Sequence, residues 1–92
     1  MIQLVLTRHL FVFFPHLADR PLTVAATTVK EAIAELEGLA PGIGFYLCDE
    51  RGRLRPHVNA FVNNEMIRDR RGLSDALAPG DQLHILQALS GG

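Results

Sequence analysis

Cysteine is almost absent from this chain, which holds only Cys48. A single thiol excludes an internal disulfide and any zinc or iron–sulfur centre built on several cysteines. It also suits a reducing compartment. A surplus of one charge is missing too. Nine Lys and Arg against ten Asp and Glu leave a formal net charge of −1. Duplex binding needs a basic excess to displace counterions, so no nucleic-acid partner is expected. Long hydrophobic runs are lacking. The longest, Leu10–Phe14, falls far short of the roughly 20 apolar residues of a membrane helix. Near Met1 there is no basic region followed by an apolar stretch and a small-residue cleavage site. No membrane partner and a cytoplasmic location are the expectations.

Catalytic patterns are equally sparse. His9, His16, His57 and His84 do not stand at helical metal-ligand spacing, so no metal site is expected. No Ser/His/Asp set and no glycine-rich phosphate loop is present, and Gly42 and Gly44 read as turn residues. Asp49, Glu50, Asp75 and Asp81 fall in or beside turns. Cys48 follows Leu47 in apolar surroundings and reads as a buried, unreactive thiol. The chain is therefore not expected to be an enzyme in its own right or to bind a cofactor itself.

What is present is a pattern for one folded domain over residues 1–92. Apolar residues make up 48% and charged residues 21%, enough apolar surface to argue against disorder. No repeat, linker or low-complexity segment divides the chain. Ile2–Thr7 alternates as a first strand, with Ile2, Leu4 and Leu6 on one face. Leu10–Phe14 either prolongs that strand or folds back over the core, and Pro15 interrupts it. Leu22, Val24 and Ala26 mark a second strand, antiparallel to the first because the connection is short. Thr28 opens a helix in which Thr28 and Glu31 cap each other's backbone N–H groups. Val29, Ala32, Ile33, Leu36 and Leu39 form its apolar stripe, and Pro41-Gly42 ends it.

Beyond the helix, Ile43–Leu54 reads as irregular, with a turn at Asp49–Gly52. Val58, Ala60 and Val62 alternate with Asn59, Phe61 and Asn63 as a third strand. A tight turn at Asn63-Asn64-Glu65 leads into a short strand over Met66–Arg68. Gly72–Ala78 suggests a short helix or a single turn, and Pro79-Gly80-Asp81 a sharp turn. Leu83 and Ile85, alternating with His84 and Leu86, give a final strand that runs almost to Ser90-Gly91-Gly92. One helix with one apolar stripe needs one sheet face to bury it. The fold class expected is α+β, a mixed sheet of about five strands packed on one main helix, with the other sheet face open.

This order, together with Phe61-Val62-Asn63-Asn64-Glu65, Gly72–Leu77, Pro79-Gly80-Asp81, Leu83–Ile85 and Gly91-Gly92, resembles the MoaD/ThiS sulfur-carrier family of ubiquitin-like β-grasp proteins. Val58–Glu65 is most similar to the CysO-type branch, which supplies sulfur for cysteine synthesis. The resemblance implies a carrier rather than an enzyme. An E1-like adenylating enzyme would use ATP and Mg to adenylate the Gly92 carboxylate. A sulfur donor would then convert it to a thiocarboxylate, and an acceptor enzyme would take the sulfur. The acceptor pathways open to such a family are cysteine, molybdopterin, thiamine and thiolated-tRNA synthesis. Cys48 in a sulfur relay is the lesser alternative to its buried reading.

The tail chemistry is physically coherent with these residues. A reactive acyl intermediate must be shielded from water inside a partner, so the arm entering it must be thin. Gly91 and Gly92 lack a Cβ and Ser90 is small; these residues are expected to form a flexible tail, with Gly91 and Ser90 threading the channel. In the resembled fold the first, fifth and third strands are neighbours. Val5, Phe61 and Leu86 would then line up on the open face, with Ala88 and Leu89 extending the patch toward the tail. Such a patch suits partner docking, unless Leu10–Phe14 covers it. Arg68, Arg70 and Arg71 read as a solvated basic loop, or as steering for an acidic partner. Two other functions remain open: a ubiquitin-like protein modifier, and a noncovalent binding module with an inert tail.

Overall fold

Alternation at the N-terminus resolves into strand β1 over Ile2–Leu6, whose Ile2, Leu4 and Leu6 are buried. The structure is a computed structural model and describes residues 1–18 and 21–87. β2 covers Leu22–Val24 and pairs antiparallel with β1, matching Ile2 to Val24 and Leu4 to Leu22. β3 covers Val58–Val62, β4 Glu65–Met66 and β5 Gln82–Gln87. β5 lies parallel to β1 and antiparallel to β3, so the sheet order is β2-β1-β5-β3-β4. The last strand in sequence is thus the middle strand in space. Ile2, Leu4, Leu6, Val24, Val58, Ala60, Leu83 and Ile85 present one continuous buried face.

The main helix packs on that face. It runs over Val29–Leu39, with Val29, Ala32, Ile33 and Leu36 buried. A fully buried Leu such as Leu36 contributes on the order of 2–3 kcal/mol through removal from water. Its N-terminus departs from the reciprocal cap expected. The Glu31 amide donates to Thr28 Oγ1 at 3.2 Å. The Glu31 carboxylate, however, accepts from the Thr27 amide and the Thr27 hydroxyl, each at 2.7 Å. The box is shifted back by one residue.

At Leu10–Phe14 and Gly72–Ala78 the structure decides between readings the sequence left open, and at Ile43–Leu54 it departs from the expectation. Leu10–Phe14 does not extend β1: Leu10–Phe13 is a single helical turn, here α1, followed by a 3-10 turn at Pro15–Leu17. With α1 named, the main helix is α2. Leu10 and Leu17 are buried in the core. Phe13 and Phe14 lie 5.2 and 6.3 Å from the Tyr46 ring, and His16 Nε2 is 3.0 Å from the Leu39 carbonyl. The segment therefore folds back on the helical side of the molecule.

Second, Ile43–Leu54 is not irregular throughout, because Ile43–Leu47 forms helix α3. Gly42 enters it at φ 102°, a conformation that favours glycine. The Glu37 carboxylate accepts from the Gly42 and Gly44 amides at 2.8 and 2.7 Å, satisfying two N–H groups that a helix start leaves orphaned. Ile43 and Leu47, four apart, bury the same side. Third, Gly72–Ala78 forms no helix. Its carbonyls instead serve the start of α2: Val29 and Lys30 amides donate to Asp75 O and Leu73 O at 3.1 and 2.9 Å. Smaller differences are strand ends: β1 stops at Leu6, β2 at Val24, and β4 at Met66.

Asp69 organises that third segment. Its Oδ1 accepts from the Gly72 and Arg71 amides, and its Oδ2 from the Ser74 hydroxyl at 2.6 Å and the Ser74 amide. A Cβ on Gly72 would stand 2.9 Å from Asp69 Oδ2, so a larger residue there would have to displace the Asp69 carboxylate. The Ser74 hydroxyl first, then the Gly72 amide, hold the Asp69 carboxyl down to about 2. A depressed folded-state value contributes stability at pH above the unfolded value, about 3.9, which is lost as pH falls toward 2. In an acid titration of thermal stability, Asp69→Ala is therefore expected to lower the melting temperature at neutral pH. It should also flatten the wild-type loss between about pH 4 and pH 2. Parallel acid limbs for the two proteins would refute this role.

Candidate functional site

The sheet face away from α2 is left without a covering helix among the described residues. Period-2 alternation puts Gln3 and Val5 of β1, Asn59 and Phe61 of β3, and Gln82, His84 and Leu86 of β5 on this face. Leu10–Phe14 lies on the helical side instead, because Leu10 enters the core and Phe13 and Phe14 pack against Tyr46. Val5 and Phe61 are half-buried, Leu86 is 42% exposed, and Met66, paired with Phe61, is 52% exposed.

The three expected residues share this face but do not form an unbroken apolar row. His84 is the register partner of both Val5 and Phe61, and so stands between them. Leu86 lies two residues further along β5, opposite Asn59. His84 was legible as a face residue from its alternation with Leu83 and Ile85; the apolar pattern drew attention to its neighbours instead. Its Nε2 lies 3.3 Å from Gln82 Oε1, and Gln82 Nε2 donates to Gln3 Oε1 at 3.2 Å. One end of the face is thus a polar stripe, and Leu86 stands exposed toward the other. Phe61, Asn63, Asn64, His84 and Leu86 bound a shallow cleft of about 270 Å³.

The base of the tail is held firmly. The Gln87 amide donates to Thr7 Oγ1 at 2.8 Å, and the Thr7 amide donates to Ile85 O at 3.1 Å. These bonds tie the end of β5 to the end of β1. Ala88, Ser90, Gly91 and Gly92, named above for the tail and the patch, lie outside the described residues.

The remaining candidates divide. Arg70 is not a solvated charge. Its guanidinium donates to Asn59 Oδ1 at 3.1 Å and to the Arg55 and Val58 carbonyls at 2.7 Å each. It braces the segment entering β3, whereas Arg68 and Arg71 are exposed. Cys48 is buried, and burial, with a smaller push from Asp49, raises its thiol further above the ordinary value. A protonated, enclosed sulfur is a poor nucleophile. Among the described residues, no three His, Cys, Asp or Glu side chains are grouped to hold a metal ion. Nor is any helix among them long and apolar enough to cross a membrane.

This architecture is shared with known proteins. Residues 18–92 match the model of the ThiS family. The sulfur carrier protein CysO of Mycobacterium tuberculosis is 36% identical over 81 residues, covering 85% of this chain and 87% of its own. A crystal structure of M. tuberculosis CysO superposes with a TM-score of 0.82 at 30% identity, over 97% of this chain and all of that one. The crystal structure of the Amycolatopsis orientalis BexX/CysO complex contains a chain that gives a TM-score of 0.84 at 28% identity, with full coverage of both chains. SAMP1 from Haloferax volcanii gives 0.72 at 26% identity, over 99% of this chain and 98% of its own.

Proposed function

The chain belongs to the ThiS family and has the ubiquitin-like β-grasp fold, and from that premise we propose that it is a sulfur carrier whose working group is the carboxylate of Gly92. The observation that carries this reading is the place of β5. The diglycine follows the central strand of the sheet by only a few residues, and that strand's end is clamped by Thr7. A partner can grip the rigid body while the side-chain-free end enters its active site.

In the proposed reaction a Gly92 carboxylate oxygen attacks the α-phosphorus of ATP, held with Mg by an E1-like partner, and pyrophosphate leaves. A sulfur nucleophile supplied by a donor then attacks the acyl carbon, and AMP leaves with the C–O bonding pair. With hydrosulfide as that nucleophile, loss of the S–H proton gives the thiocarboxylate directly. With a donor persulfide, a thiol must attack the donor sulfur of the acyl disulfide so formed and leave as a disulfide with the donor, which frees the thiocarboxylate. Activation is necessary because a free carboxylate is a poor acyl donor. This chain supplies no catalytic group; it supplies reach, thinness and recognition. Val5, Phe61 and Leu86 form the docking face, and Ala88 is assigned to partner docking with them. Similarity to CysO supports an acceptor enzyme in cysteine synthesis, and the carrier is a co-substrate of both partners.

The test is intact-mass spectrometry of the full chain after incubation with the activating enzyme, ATP, Mg and a sulfur source. The expected result is replacement of one oxygen by sulfur, removed again by alkaline hydrolysis. An unchanged mass would overturn the reading. Glycyl remnants on lysines of target proteins, in place of the sulfur shift, would mark a protein modifier. Tight partner binding without either change would mark a noncovalent module.

A further inference from the structure

Gly92 stands five residues beyond Gln87. Fully extended, at about 3.3–3.6 Å per residue, that stretch reaches no more than about 17–18 Å. An enzyme acting on the Gly92 carboxyl must therefore bring its reacting centre that close to the end of β5. The rim of its channel then rests on whatever surrounds Gln87.

Alternation along β5 gives that root two sides. Leu86 faces the open sheet surface described above. Gln87 faces the opposite way, into a cleft of about 260 Å³ that it forms with Phe45, Tyr46, Arg55 and His57. Phe45 is 66% exposed there, although most large apolar side chains of α3 are buried. Arg55 is fixed in orientation: its Nε and Nη2 donate to the Phe45 carbonyl at 3.0 and 2.8 Å, and its guanidinium carbon sits 5.2 Å from the centre of the Phe45 ring. The single ion pair among the described residues joins Arg53 to Asp49, so Arg55 has no carboxylate partner among them. His57 is exposed beside it. The Gln87 Oε1 atom is buried and receives no hydrogen bond among the described residues.

We propose that this cleft is a second recognition surface for the activating enzyme, and that it receives an acidic side chain of that enzyme's channel rim. The carboxylate pairs with the guanidinium N–H groups that Phe45 O leaves unused, and an apolar neighbour covers the Phe45 ring. Because the guanidinium is already immobilised, little side-chain freedom is lost when the pair forms. Charge-assisted contacts of this kind strengthen when water is excluded. The proposal rests on Gly92 being the activated group, but it concerns a different part of the molecule.

The experiment measures loading rate by the activating enzyme against carrier concentration, for wild type, Arg55→Gln and His57→Glu. Each variant is expected to raise KM for the carrier about tenfold, with kcat at saturation within about twofold. The wild-type KM should also climb more steeply with added NaCl than that of Arg55→Gln. Arg55 holds a backbone carbonyl, so its replacement also tests the fold; His57 is exposed, and His57→Glu places a negative charge in the same cleft without removing a contact. Unchanged KM in His57→Glu, with loading intact, overturns the cleft and leaves the Gly92 reading standing. Absence of loading in the wild-type chain overturns that reading itself.

Discussion

Removal of Gly92 is expected to abolish sulfur loading while leaving the folded body intact. One residue of extended chain spans about 3.5 Å. Productive attack needs the reacting atoms about 3–3.5 Å apart, and a misplacement of 1 Å can cost about a hundredfold. The shortened chain ends in a perfectly ordinary carboxylate, on Gly91, but a body docked by its sheet face cannot follow that carboxylate one residue deeper. Gly91→Val is expected to reduce loading by at least about a hundredfold for a related reason: a β-branched side chain enlarges the arm and restricts its backbone. Stability should be unaffected in both variants, because every buried apolar residue of the described core lies between Ile2 and Ile85. Intact-mass spectrometry reads the loading and thermal melts read the fold. Loading of the truncated chain at the wild-type rate would show that the acyl group resides elsewhere.

Such a tail argument was legible in the residues because it depends on chemistry at a few positions. The β-strands and α2 were legible for another reason: their apolar periods are long enough to be unambiguous, as in Val29, Ala32, Ile33 and Leu36. The segments left open or misread are those where a short apolar cluster serves tertiary packing. Leu10–Phe14 carries no period at all, and only its position above α3 decides that Leu10 goes inward and Phe13 outward. Ile43 and Leu47 do stand four apart, but Gly42 and Gly44 masked the helix. What makes it form is the Glu37 carboxylate, which arrives from α2. Gly72–Ala78 read as a short helix or a single turn, and Asp69 decides for the turn by drawing in its amides and leaving its carbonyls to α2. In the candidate site, the open face followed from alternation, and His84 with it. The Phe45–Arg55–Gln87 cleft did not, because its residues come from α3, the segment before β3 and the end of β5. No sequence pattern joins those three places.

Leu86→Asp is expected to raise KM for the activating enzyme by about a hundredfold or more, with little change in stability. Leu86 is 42% exposed and points away from the core, so an acidic replacement there costs the free protein roughly 0.5 kcal/mol or less. In the complex the same carboxylate would be buried against an apolar rim without a partner, which costs several kcal/mol. Phe61→Ala is a weaker test, because Phe61 is half-buried against its strand neighbours Met66 and His84 and its loss perturbs the fold as well. Initial rates at increasing Leu86→Asp concentration separate the docking loss from the chemical step: kcat should recover at saturation. A KM equal to that of wild type would remove the sheet face from the interface. The double variant Leu86→Asp/His57→Glu goes further, since the two side chains lie on opposite sides of β5 and share no partner. Independent contacts multiply their effects on KM, so a product of the two single penalties would mean that one enzyme grips the root of the tail from both sides at once.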